Sequence, residues 1–173
     1  MRRLLIVFIA LIGCVPLGHS EPPRLLVLGD SLSAAYGMQI EQGWVALLAE
    51  QLDGELQITN ASVSGETSGG GLARLPPLLE RYQPDWVRIE LGANDGLRGY
   101  PLRRLRDNLT DKIALTRAAG AEPILFAMAL PANYGERYTS QFSALYPSLA
   151  NQQQVALLPF QFSDLLGQPA MIQ

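Results

Sequence analysis

Ser31 is the first residue in this chain whose type and setting suggest chemistry. It stands in Gly29-Asp30-Ser31-Leu32-Ser33, directly behind the apolar run Leu25-Leu26-Val27-Leu28. A short apolar run closed by Gly-Asp-Ser reads as a buried strand ending in a tight turn. That turn sets Ser31 at the carboxyl end of the strand, where open α/β sheets keep reactive groups beside a crevice. A serine hydroxyl is a weak nucleophile at neutral pH and attacks a carbonyl only when an adjacent base takes its proton. Ser and Asp are also common helix-capping residues, so a strand followed by a capped helix explains the same five residues.

Two later stretches bear on that choice. Asn60-Ala61-Ser62-Val63-Ser64-Gly65-Glu66-Thr67 follows a strand-like segment at 56–59, and Gly92-Ala93-Asn94-Asp95 follows another at 86–91. Three strands thus end in small or polar loops. In a parallel sheet their ends lie side by side, so Ser31, Gly65 and Asn94 can converge on one point.

Taken in order, five segments resemble the blocks of the SGNH (GDSL-type) hydrolases. They are Gly-Asp-Ser-Leu-Ser, Asn-Ala-Ser-Val-Ser-Gly-Glu-Thr-Ser, Gly-Leu-Ala-Arg-Leu-Pro, Glu-Leu-Gly-Ala-Asn-Asp-Gly-Leu-Arg-Gly and Leu-Pro-Ala-Asn-Tyr-Gly. The pattern is similar to the bacterial thioesterase/lysophospholipase/arylesterase branch and covers residues 24–173. The resemblance implies a three-layer α/β/α sandwich, flavodoxin-like, around a parallel five-stranded sheet. It makes Ser31 the nucleophile, with the backbone N–H groups of Ser31 and Gly65 and the Asn94 side-chain amide as oxyanion donors. Glycine lets a backbone approach a ligand closely, and an asparagine amide donates without carrying a charge. The implied substrates are short-to-medium acyl esters, acyl thioesters or lysophospholipids, with no metal or organic cofactor. Leu97, Pro131 and Tyr134, in the loops after the third and fourth strands, are expected to wall the acyl groove.

In one respect the chain departs from that pattern. The family's base and its orienting acid lie in a final Asp-x-x-His block, whereas the one histidine here is His19. Asp164 has no histidine partner near it in sequence and reads as a cap or surface residue. The expectation is a chain that stops short of that block and of the last helix, and is nearly inactive as written. Oxyanion donors and binding alone sustain about 10³- to 10⁴-fold over water. A non-catalytic acyl- or lipid-binding relic of the same fold is the alternative. A flavodoxin-like nucleotide binder would need a phosphate fingerprint; Gly69-Gly70-Gly71 is not followed by Gly-Lys-Ser/Thr and reads as a flexible turn.

Alternating strand-like and helix-like segments place these loops. Strands are expected at 25–28, 56–59, 86–91, 123–129 and 155–158, and helices at 43–52, 71–81, 102–119 and 142–151, the pattern of βαβ units. In 44–52, apolar residues recur at three- and four-residue intervals, as one buried face requires. Gly54 and Gly120 stand where helices should stop. Pro76-Pro77 is expected to kink the second helix or delay its start.

With 173 residues, 48% hydrophobic and 17% charged, the chain suits one domain. Met1-Arg2-Arg3 and the apolar stretch to Val15 read as an export signal, too short to span a bilayer. Residues 1–20 are then the signal peptide and 21–173 the hydrolase domain, exported to the periplasm or secreted. Leu11-Ile12-Gly13-Cys14 also resembles a lipoprotein box, so a membrane tether is expected only if Cys14 is lipidated. Removing residues 1–20 takes away Arg2 and Arg3 and no acid, which moves the formal charge from −3 to −5. A mildly acidic surface argues against nucleic acid as a partner. Arg98, Arg103, Arg104 and Arg106 read as a solvated helix face, with Arg98 set apart by its closeness to Asn94.

Overall fold

The computed structural model describes residues 21–160. The expected export signal, Cys14, His19 and Asp164 lie outside the described residues.

Five strands form one sheet: β1 (Arg24–Gly29), β2 (Gln57–Asn60), β3 (Trp86–Glu90), β4 (Glu122–Phe126) and β5 (Ala156–Leu158). Their order is β2-β1-β3-β4-β5 and every pairing is parallel. The crossovers are helical: α1 (Trp44–Gln51), α2 (Ser68–Tyr82), α3 (Ala93–Leu97) with α4 (Leu102–Ala118), and α5 (Glu136–Gln153). The α/β class and the parallel five-stranded sheet are as expected from the alternation.

Side chains alternate across the sheet and sort its two faces. Leu26, Leu28, Val87, Ile89 and Leu125 point to one face, where they meet Leu75 and Leu79 of α2, Leu105, Leu109 and Ile113 of α4, and Phe142, Tyr146 and Leu149 of α5. Fully burying one large apolar side chain is worth roughly 1.5–3 kcal/mol, so this face carries most of the stability. Arg88 and Glu90 point to the opposite face. There the Arg88 guanidinium lies between two rings, 4.2 Å from that of Trp44 in α1 and 4.4 Å from that of Phe126.

Several element boundaries differ from the sequence reading. α2 begins at Ser68, so Gly69, Gly70 and Gly71 form its first turn and no flexible turn exists there. The Thr67 side chain accepts from the Gly70 N–H and caps it. Close packing explains the glycines: a Cβ on Gly71 would lie 2.3 Å from Leu91 Cδ1. Pro76 and Pro77 do not delay the start, and the helix runs on through both to Tyr82. α5 begins at Glu136, six residues before the expected start, because its first turns are polar and exposed. β4 ends at Phe126 and not at Ala129. The short α3 was not anticipated. Leu47, expected on the buried face of α1, is 51% exposed, since α1 meets the sheet through Trp44 and Val45. Gly120, with φ +81°, does follow the end of α4 as expected.

Candidate active site

The site lies at the carboxyl ends of β1, β2 and β3. Chain order reverses between β1 and β3, where doubly wound sheets open a crevice. Gly29 pairs with Glu90 at the tops of β1 and β3. Beyond β2 the chain keeps alongside β1, with the Ala61 N–H donating to Val27 O at 2.9 Å and the Val63 N–H to Gly29 O at 3.1 Å. Ser31, Gly65 and Asn94 therefore leave the sheet on one rim.

Asn94 ties the three loops together. Its Nδ2 donates to Asp30 Oδ2 at 3.2 Å and to the Glu66 carbonyl at 3.0 Å. One amide thus touches the residue before Ser31 and the residue after Gly65. Both of its amide hydrogens are engaged by these two acceptors. Gly65 has φ +77°, a left-handed conformation that glycine adopts freely, and its carbonyl accepts from Arg98 Nη2 at 3.0 Å. Arg98 is thus attached to the site loop, unlike Arg103 and Arg104, which are exposed on α4. Arg106 bonds Gln152 of α5 at 3.0 Å.

Asp30 is buried, and its carboxylate accepts from the Leu32 N–H at 3.1 Å as well as from Asn94. Burial raises its pKa above the ordinary aspartate value against the pull of those two donors. The turn is fastened again at Ser33, whose hydroxyl donates to Glu90 Oε2 at 2.7 Å and accepts from Trp44 Nε1 at 3.1 Å. Asn60 Nδ2 donates to the Ser33 carbonyl at 2.7 Å. Glu90 is fully buried and paired with Arg88 at 3.1 Å. Burial pushes the Glu90 carboxyl up and lowers the Arg88 guanidinium, each partly offset by the other's charge. Ser31 itself is half-buried at the mouth of this framework.

The stretch before α2 is braced from the helix. Arg74 pairs with Glu66 at 2.9 Å and donates to Ala61 O at 2.8 Å. Behind it, Asp95 accepts from the Ser68 N–H and hydroxyl, both at 2.6 Å.

The expected groove residues are partly together. Leu97 and Tyr134 are 42% and 39% exposed, and the Tyr134 hydroxyl donates to the Leu97 carbonyl at 3.3 Å. Pro131 opens the short helical turn Ala132–Tyr134 and is exposed.

Asp30, Ser33, Glu66, Ser68, Glu90, Asp95 and Lys112 escaped the sequence reading as functional positions. One signal was available for Lys112: it falls in the buried stripe of α4, among Leu105, Leu109, Ile113 and Thr116.

Known proteins resemble this chain in sequence and in fold. Residues 27–172 match the GDSL-like lipase/acylhydrolase family. An arylesterase of Vibrio mimicus is 45% identical over 172 residues, covering 98% of this chain and 85% of the relative. Thioesterase 1/protease 1/lysophospholipase L1 of Escherichia coli K12 is 48% identical over 149 residues, covering 86% of this chain and 72% of the relative. Among solved structures, the psychrotrophic esterase EstA from Pseudoalteromonas sp., inhibited by monoethylphosphonate, superposes with a TM-score of 0.84 at 44% identity, over 87% of this chain and 84% of that one. With the match running through all three site loops, the chain belongs to the GDSL-like lipase/acylhydrolase family.

Proposed function

We propose that this chain is a serine ester hydrolase in which Ser31 attacks an acyl carbonyl. The observation that carries the reading is the Asn94 amide, bonded to Asp30 beside Ser31 and to Glu66 beside Gly65. The Ser31 and Gly65 N–H groups and the Asn94 amide receive the charge that develops on the carbonyl oxygen. Each aimed donor is worth roughly 2.7–4 kcal/mol in a water-excluded site. Collapse of the tetrahedral intermediate expels the alcohol or thiol and leaves an acyl-Ser31 ester, which water then hydrolyses. Arylesterase and thioesterase/lysophospholipase relatives support carboxylic esters, acyl thioesters and lysophospholipids as substrates. Leu97, Pro131 and Tyr134 flank the acyl chain, and residues 1–20 direct export.

The base remains outside this assignment, since the sequence holds the single histidine His19. The second reading is acyl binding without turnover. Hydrolysis of p-nitrophenyl butyrate by the full chain and by Ser31→Ala, each with and without added imidazole as an external base, separates the two. Hydrolysis that exceeds the protein-free imidazole blank in the parent, and not in Ser31→Ala, supports the esterase. Equal rates in both proteins overturn it and leave the binder.

A further inference from the structure

Beneath the three loops lies a buried polar cluster that the proposed chemistry does not use. Asp95, Ser68 and Lys112 are fully buried, although they come from α3, α2 and α4. Asp95 Oδ2 accepts from the Ser68 N–H and Oδ1 from the Ser68 hydroxyl, both at 2.6 Å. Asn108 Nδ2 donates to the same hydroxyl at 2.8 Å. Lys112 Nζ donates to the Ser68 carbonyl, and at 3.3 Å to the Asn108 carbonyl. Every polar group of Ser68 is therefore held.

Sequence neighbours give this cluster a direction. Ser68 opens α2, three residues past Gly65, and Asp95 directly follows Asn94. The dipeptide Asn94-Asp95 thus grips the segment after Gly65 at two points, through the Glu66 carbonyl and through Ser68. Burying a carboxylate and an ammonium is unfavourable where an apolar pair would pack as well, and in some proteins buried polar groups of this kind serve to fix one geometry. A geometric need exists here, because Gly65 and Asn94 sit on different loops yet must point at one oxygen atom.

We propose that Asp95 is a positioning residue, which by holding Ser68 sets the spacing between the Gly65 N–H and the Asn94 amide. The inference rests on the esterase reading. Misplacing a reacting group by about 1 Å can reduce a rate on the order of 100-fold, which makes the spacing worth a dedicated clamp.

The test uses the full chain with Asp95→Asn and the milder Ser68→Ala, and Ser31→Ala as the zero of turnover. Imidazole-supported hydrolysis of p-nitrophenyl butyrate should lose about 10- to 100-fold in kcat in Asp95→Asn, with KM within about twofold. Amide hydrogen exchange over residues 65–69 should speed up about tenfold or more in both variants, as the loss of a charge-assisted hydrogen bond implies, while β3 stays unchanged. Ser68→Thr keeps both donors and should retain turnover. Undiminished kcat in Asp95→Asn overturns the inference and leaves the esterase reading intact. If the parent itself shows no Ser31-dependent turnover, the esterase reading fails instead. Exchange then decides the clamp, and unaltered protection of 65–69 in both variants sinks it.

Discussion

Asn94 donates a hydrogen bond to Asp30 across a sequence separation of 64 residues, at 3.2 Å. Because Asp30 precedes Ser31, this contact sets the distance between the amide and the proposed nucleophile. Asn94→Ala should lower Ser31-dependent ester turnover by about 10²- to 10³-fold, the effect of removing one oxyanion donor. Steady-state kinetics on a p-nitrophenyl ester checks this. A loss confined to KM would argue against an oxyanion role.

Arg88 and Glu90 form a buried pair at 3.1 Å, and Glu90 also takes the Ser33 hydroxyl of the turn bearing Ser31. Arg88→Met would leave the Glu90 charge uncompensated, which costs about 3–5 kcal/mol at neutral pH. Burial already raises the Glu90 pKa, and losing Arg88 raises it further. Between the ordinary glutamate pKa and that raised value the folded state holds the extra proton, so stability falls as pH rises through the window. The deficit of Arg88→Met should therefore shrink on acidification. Urea melts of both proteins at several pH values would reveal it.

Lys112 is buried and its pKa is lowered from 10.5 to about 8 by desolvation, against the pull of Asp95, Glu66 and Asp111. Between these two values the unfolded chain holds more protons than the folded one. Stability from this group therefore rises with pH across that interval, by about 3 kcal/mol when complete. Lys112→Met should lack the rise. The difference between the two proteins' melting curves from pH 7 to pH 10 isolates it from other titrations.

Gly92 has φ +126°, and a Cβ there would lie 2.2 Å from the Tyr146 hydroxyl. That hydroxyl donates to the Leu91 carbonyl at 3.0 Å and holds α5 against the loop bearing Asn94. Gly92→Ala should destabilise by roughly 2–6 kcal/mol, combining backbone strain with overpacking. Thermal melting tests it. Tyr146→Phe, which loses the hydrogen bond and frees space, should partly relieve the double variant.

What the sequence disclosed was what is local. Apolar runs closed by Gly-Asp-Ser and Gly-Ala-Asn-Asp mark strand ends by composition alone, so the shared rim of Ser31, Gly65 and Asn94 could be anticipated. Helix limits were harder wherever tertiary contact overrules propensity. A run of three glycines is a poor helix former, yet all three lie in α2, and at Gly71 the approach of Leu91 leaves no room for a Cβ. The polar framework was least visible, since Ser68 and Lys112 meet across 44 residues and no periodic pattern links them. An isolated lysine in the apolar stripe of α4 was its one local trace.

Pairing of β1 with β3, Leu25 opposite Trp86, bears on how this protein comes to life. The turn bearing Ser31 is among the first parts of the domain to leave the ribosome. Its amide partner emerges only after 64 further residues have been made. Long-range pairing of parallel strands is slow compared with local helix formation, because loop-closure entropy is lost before the contacts form. On the esterase reading, regain of Ser31-dependent turnover after dilution from denaturant should accordingly trail the return of helical signal.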